Sequence, residues 1–271
     1  MERQAAACDA LSALEGVEAV NVQFAHGAAQ QDPRLTTLTA LHRDSTAVTG
    51  AVGRRKPIAD EMFDVLASAA ADRGHACFAY INSDIIVTPA LVGAVGRADR
   101  DTYAVSRCDV GGEDGDRMLT AGVDMFIVSV EWWRSHRARF RPYILGDACW
   151  DNVYTAVMMS HSNGVLWNRE RLILHQFHAT VWRDTTPTAR YNGYLAALDA
   201  RYFHLWSQYW HRLEALRARG EPESAEIELA RAAFVWKRSA SDAARQLIRS
   251  ARARRRYRRM RAEWLAAPSP C

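Results

Sequence analysis

No stretch of about 18 consecutive apolar residues occurs in this chain, so no membrane-crossing helix is expected. The first residues, Met1-Glu2-Arg3-Gln4, lead into alanine-rich sequence broken by Asp9 and Glu15, without the uninterrupted apolar core of a signal peptide. Cysteine is sparse and odd in number. The five residues (Cys8, Cys77, Cys108, Cys149, Cys271) are scattered, and no pair has metal-ligand spacing. This argues against a disulfide scaffold and a zinc module, and for reduced thiols in the cytoplasm. No internal repeat is present, which excludes solenoids and propellers.

What remains is a chain of 271 residues, 49% hydrophobic, enough for one large core with a helical appendage. The formal net charge is a mild +4, with the basic residues bunched towards the C-terminus. The nine tryptophans lie after residue 130, which implies a large packed or sugar-stacking surface in the second half.

The most informative stretch is Cys77-Phe78-Ala79-Tyr80-Ile81-Asn82-Ser83-Asp84-Ile85-Ile86. Five mostly apolar residues read as a buried strand that stops at a polar triplet. A second apolar step follows, and Thr88-Pro89 opens a helix with Thr88 as N-cap and Pro89 at the first helical position. Strands that end this way before a helix place their polar residues at the carboxyl edge of an α/β sheet, where ligands bind. If the strand continues, Asn82 and Asp84 share one face. A carboxylate and an amide oxygen there suit a hard divalent cation that bridges phosphates. The competing reading is a strand end whose Asn and Asp cap the turn.

Elsewhere, helices are expected over residues 5–15, 58–71 and 89–97, and strands over 17–24, 35–41 and 102–107. Arg54-Arg55-Lys56 precede the second of these helices and suit a diphosphate, or form a solvated charge cluster. Residues 109–116, with three glycines and four acids, read as a mobile loop without the spacing of a calcium site. Ala121 to Val128 reads as a strand entered through Gly122-x-Asp124, and Trp132 and Trp133 start the next helical turn. A helix is expected from Gly146 to Ser160 with Asp147 as N-cap. Asp151 would then lie one turn on, so the two carboxylates would share a face. Such a pair can activate and hold a hydroxyl, or cap a helix and complement its dipole. Leu172–Leu174 reads as a strand followed by His175 and His178, which face opposite ways if the backbone stays extended.

Residues 190–219 read as one long amphipathic helix, followed by helices over 223–236 and 241–265. The last carries Arg245, Arg249, Arg252, Arg254, Arg255, Arg256, Arg258, Arg259 and Arg261, interleaved with Leu247, Ile248, Tyr257, Met260 and Trp264. It suits an anionic membrane surface or nucleic acid, or is a solvated helix packed on its neighbours.

Taken in order, Gly53-Arg54-Arg55-Lys56-Pro57, a helix, and Tyr80-Ile81-Asn82-Ser83-Asp84-Ile85 resemble bacterial glycosyltransferase-like proteins of the GT-A fold. In these, a Tyr-x-Asn-x-Asp-Ile element stands where other members carry Asp-x-Asp. Gly122-Val123-Asp124-Met125-Phe126 looks like the acceptor-side strand of that fold. Gly146–Asn152 looks like the helix start where inverting members place a catalytic carboxylate. The resemblance covers roughly residues 17–180. It implies an α/β fold with a Rossmann-type mixed central sheet flanked by helices and a C-terminal helical extension. The expected division is a nucleotide-sugar domain over 1–185 and a helical region over 186–271.

The implied activity is glycosyl transfer from a nucleotide-diphosphate sugar to a hydroxyl acceptor: a glycan, a lipid-linked glycan or a natural product. Asp151 and Asp147 are then the candidate catalytic bases. Arg54, Arg55, Lys56, Asn82 and Asp84 would bind the donor. Asp124 and Trp150 would face the acceptor, with Trp132 and Trp182 as further stacking candidates. Asp84 and His178 would hold a divalent cation, manganese or magnesium. The expected location is cytoplasmic, peripheral at the inner face of the membrane where the last helix docks. Two other classes are weighed: a nucleic-acid or anionic-membrane binding protein acting through the Arg-rich helix, and a metal-dependent phosphohydrolase built on Asp84, Asp147, Asp151 and His178.

Overall fold

The computed structural model describes residues 2–26, 32–51, 53, 55–112, 115–118, 122–177, 186–235 and 240–266, with the side chains of 2, 3, 240–246 and 265 excepted. In chain order the elements begin with α1 (Glu2–Ser12), β1 (Val20–Phe24), β2 (Thr36–Leu41), α2 (Ser45–Thr49) and α3 (Ala59–Asp72). There follow β3 (Cys77–Ile81), β4 (Ile85–Val87), α4 (Pro89–Ala98), β5 (Thr102–Val105), β6 (Cys108–Val110) and β7 (Arg117–Met118). Next come β8 (Met125–Ser129), α5 (Val130–His136), α6 (Trp150–His161), β9 (Val165–Trp167) and β10 (Ile173–Gln176). The chain ends in α7 (Pro187–Leu198), α8 (Ala200–Ala218), α9 (Glu223–Ala233) and α10 (Ala240–Ala266). The architecture is mixed α/β, with mixed sheets flanked by helices.

The chain divides into two compact units. The first comprises residues 1–42, 63–137 and 161–180, and the second 43–62, 138–160 and 181–271. They interleave along the chain.

The first unit holds the sheets. In one, the order is β3-β8-β5-β9, with β8 antiparallel to both neighbours and β5 parallel to β9. In the second, the order is β4-β10-β6-β7. There β4 runs antiparallel to β10, β10 parallel to β6, and β6 antiparallel to β7. A separate parallel pair joins β1 to β2. Ile85, Val87, Leu91, Tyr103, Val105, Met125, Ile127, Leu172 and Ile173 form a buried core fed by both four-stranded sheets. A second group of rings packs around Phe63. Its centroid lies 5.6 Å from Phe78, 5.9 Å from Phe126 and 5.1 Å from Trp133. Burying one such aromatic stabilises the fold by about 2–3 kcal/mol. Trp133 finds a partner for its indole N–H in Asp64, 2.9 Å away, as a buried donor must.

The second unit is mainly helical. Residues 190–219 are two helices rather than the single one expected, because Asp199 leaves helical geometry (φ −96°, ψ 27°) between α7 and α8. No glycine or proline stands there. The carboxylate of Asp199 instead accepts hydrogen bonds from Arg141 Nε (2.8 Å) and the Tyr143 hydroxyl (3.2 Å), anchoring the break. Asn192, fully buried, accepts from the Ile144 N–H and donates to the carbonyls of Ile144 and Ala148, which ties down the turn before α6.

Candidate functional site

The expected helix start at Thr88-Pro89 is present, with Thr88 as N-cap. The hydroxyl of Thr88 does not cap the helix but donates to the Leu172 carbonyl, 2.9 Å away. Strand conformation does not persist through Asn82-Ser83-Asp84, however. The triplet is a turn, closed by Ile85 N–H to the Asn82 carbonyl at 3.2 Å, and it carries the chain from one sheet to the other. The face shared by Asn82 and Asp84 in an extended strand is therefore absent. A second crossover, Ser106-Arg107, likewise joins β5 of one sheet to β6 of the other.

The register brings these crossovers together. Ile81 and Val105, the last residues of β3 and β5, both pair with Met125, the first of β8. The residues immediately beyond form the next row, where Asn82 N–H donates to the Asp124 carbonyl and Asp124 N–H to the Val105 carbonyl. The side chains there are linked. The Tyr80 hydroxyl donates to Asn82 Oδ1 at 2.8 Å, and Asn82 Nδ2 donates to Asp124 Oδ1 at 2.9 Å. Arg107 spans two carboxylates, with Nη1 3.0 Å from Asp124 Oδ1 and Nε 2.8 Å from Asp109 Oδ1. Asp109 Oδ1 also lies 2.7 Å from His175 Nδ1, and His175 Nε2 is 3.4 Å from Asp84 Oδ2.

The network runs from a buried end to an open one. Asp124 is 6% exposed, and its Oδ2 is buried without a hydrogen-bond partner among the described residues. Burial pushes its carboxyl pKa up, against the opposing pull of Arg107 and Asn82. Burial works against the charge of Arg107 too, but Asp124 and Asp109 outweigh it and hold its guanidinium pKa above the usual value. Donation of a hydrogen bond to the Asp84 carboxylate raises the pKa of His175 above 6.5, despite burial and the nearby Arg107. The side chain of Asp84 is 36% exposed and forms the solvent-facing end.

Arg107 and Asp109 were not singled out as site residues from the sequence. Asp109 was assigned to a mobile loop, whereas it lies in β6, paired in register with His175 of β10. The only local signal was the recurrence of charged residues immediately after apolar strands.

Apart from Trp132, the remaining candidates lie in the second unit or outside the described residues. Arg54, His178 and Trp182 are among the latter. Arg55 Nε approaches Asp44 Oδ2 at 3.4 Å, and Lys56 Nζ is ion-paired with Asp147 Oδ2 at 2.7 Å. The helix expected from Gly146 begins only at Trp150. Gly146 and Cys149 adopt left-handed backbone (φ 75° and 76°), so Asp147 sits in a turn ahead of the helix instead of capping it. Asp151 is on the first turn of α6 and partly exposed, and does not share a helical face with Asp147. Trp150 is 4% exposed and packs edge-on against Tyr154, and Trp132, 7% exposed, stacks on His136 in the first unit.

Among the described residues no group of three His, Cys, Asp or Glu side chains is placed to hold a metal ion. Asp84 and His175 supply two such groups at most, so these residues do not by themselves complete a cation site, and no step is derived through one. No helix among the described residues is long and apolar enough to cross a membrane. No protein-family model, curated protein or solved structure matches the chain.

Proposed function

We propose that the chain is a glycosyltransferase that moves a sugar from a nucleotide-diphosphate sugar to a hydroxyl acceptor. The observation that carries this reading is the row Asn82–Asp124–Arg107 at the aligned ends of β3, β8 and β5, with Asp84 at its open side. Strand ends at a switch between sheets are where open α/β folds bind ligands. A carboxylate positioned by a buried imidazole is a rigid acceptor for ligand hydroxyls. The reading is supported at the coarser level by mixed sheets flanked by helices, with the triplet at the crossover between two of them.

In the transfer, the acceptor oxygen bonds to the anomeric carbon as the bond to the diphosphate oxygen breaks, and the electron pair leaves with the diphosphate. The acceptor proton passes to a carboxylate. Asp124 touches Asn82 and Arg107, which supports a role in positioning the donor side rather than in touching the acceptor.

The test is thermal unfolding in the presence of nucleoside diphosphates and their sugars, with and without manganese. At least one should raise the midpoint in the intact chain and fail to do so after Asp84→Ala. Undiminished transfer in the Asp84→Ala variant would remove the assigned site.

A further inference from the structure

The helix α10 is about 40 Å long and carries nine arginines against two acids, Asp242 and Glu263. Its rotation about its own axis is set by one side. Tyr257 is 8% exposed, stacks on Tyr194 (4.3 Å, 6°) and contacts Tyr191 and Trp264. Its hydroxyl reaches the Val48 carbonyl, and Arg261 Nε donates to the Thr49 carbonyl at 3.2 Å. Ser250, Ala253, Met260 and Trp264, at helical spacing from Tyr257, are partly buried on the same side.

At 100° per residue, Ile248, Arg252, Arg255 and Arg259 fall on the opposite side, spaced i, i+4, i+7 and i+11 over roughly 16 Å. All four are exposed, and Leu247 on the flank is 72% exposed. The three arginines have no ion-pair partner among the described residues. We propose that this face docks on an anionic phospholipid surface. Charge complementarity identifies an anionic partner. The adjacent aliphatic pair Leu247-Ile248, exposed beside the arginines, favours a bilayer over a phosphodiester backbone, because those side chains partition into the interface while the guanidinium groups meet headgroup phosphates. This stands independently of the sugar-transfer reading.

The experiment is co-sedimentation of the full chain with vesicles containing about 30% phosphatidylserine in phosphatidylcholine, against pure phosphatidylcholine, at about 0.1 M salt. Binding to the anionic vesicles should be at least roughly tenfold tighter and weaken as salt rises. Replacing Arg252, Arg255 and Arg259 together by Gln should remove that preference, the same three changed to Lys should keep it, and Leu247→Ser with Ile248→Ser should weaken it several-fold. Equal binding to both vesicles, no binding, or an unaffected Gln variant overturns the proposal. So does loss of binding in the Lys variant, or tighter binding to duplex DNA through the same three arginines.

Discussion

His175 and Asp109 stand side by side in the parallel register of β10 and β6, with imidazole Nδ1 2.7 Å from carboxylate Oδ1. The other ring nitrogen faces Asp84 Oδ2 at 3.4 Å. One buried imidazole thus joins a carboxylate inside a sheet to one at the surface of a turn.

That position makes stability depend on pH. His175 binds its proton more tightly in the folded chain, with a pKa above 6.5. The added stability is therefore full below about 6.5 and is lost as pH rises through the folded value. Urea midpoints measured across this range should fall with rising pH, and His175→Gln should flatten that part of the curve. Asp124, whose carboxyl pKa is raised above 3.8 by burial, gives the same sign in a window that begins at about 3.8.

Arg107→Met should be far more damaging than its partial exposure implies. It leaves Asp124, whose Oδ2 already lacks a hydrogen-bond partner among the described residues, without its hydrogen-bonded guanidinium, at a cost of about 3 kcal/mol. Pairing Arg107→Met with Asp124→Asn should recover part of the loss, so that the two changes are not additive in denaturant titrations.

Asp84→Ala should behave oppositely. Its side chain is more than a third exposed, so the unfolding midpoint should move little. Transfer should fall roughly 100-fold or more if Asp84 holds the donor in the reacting geometry. Steady-state kinetics beside thermal unfolding separates the two effects.

The turn ahead of α6 offers a further contrast. Asn192→Leu deprives the Ile144 N–H and carbonyl of their buried partner and should cost about 3 kcal/mol. Asp151→Asn, on the partly exposed first turn of α6, should leave stability nearly unchanged, whereas Asp147→Asn should lower it by weakening the Lys56 pairing. Unfolding midpoints of the three variants check this order.

The local elements were legible where local chemistry sets them. Thr88-Pro89 opens α4 because a proline at the first helical position sacrifices no intrahelical hydrogen bond. The apolar run Cys77–Ile81 is β3, and Ser129 starts α5 by accepting a bond from the Trp132 N–H. Asp199 shows the limit. No proline stands in residues 190–219, the helix runs on through Gly193, and the break at Asp199 is anchored by Arg141 and Tyr143, more than fifty residues away in sequence. Asp109 shows it again: a short strand in a run of Asp and Gly has no pattern of its own and exists through its pairing with β10 and β7.

The amino-acid order alone determined which apolar runs become strands, where several helices start, that a polar triplet ends β3, and that nine arginines gather on one helix. Those outcomes follow from side-chain periodicity and end-capping, which act over a few residues. Only the tertiary structure decided that Asn82, Asp84, Arg107, Asp109, Asp124 and His175 form one connected network. Which residues become neighbours depends on how β3 and β5 leave one sheet while β4 and β6 enter another, and on a register set by burying Ile81, Met125 and Val105 side by side.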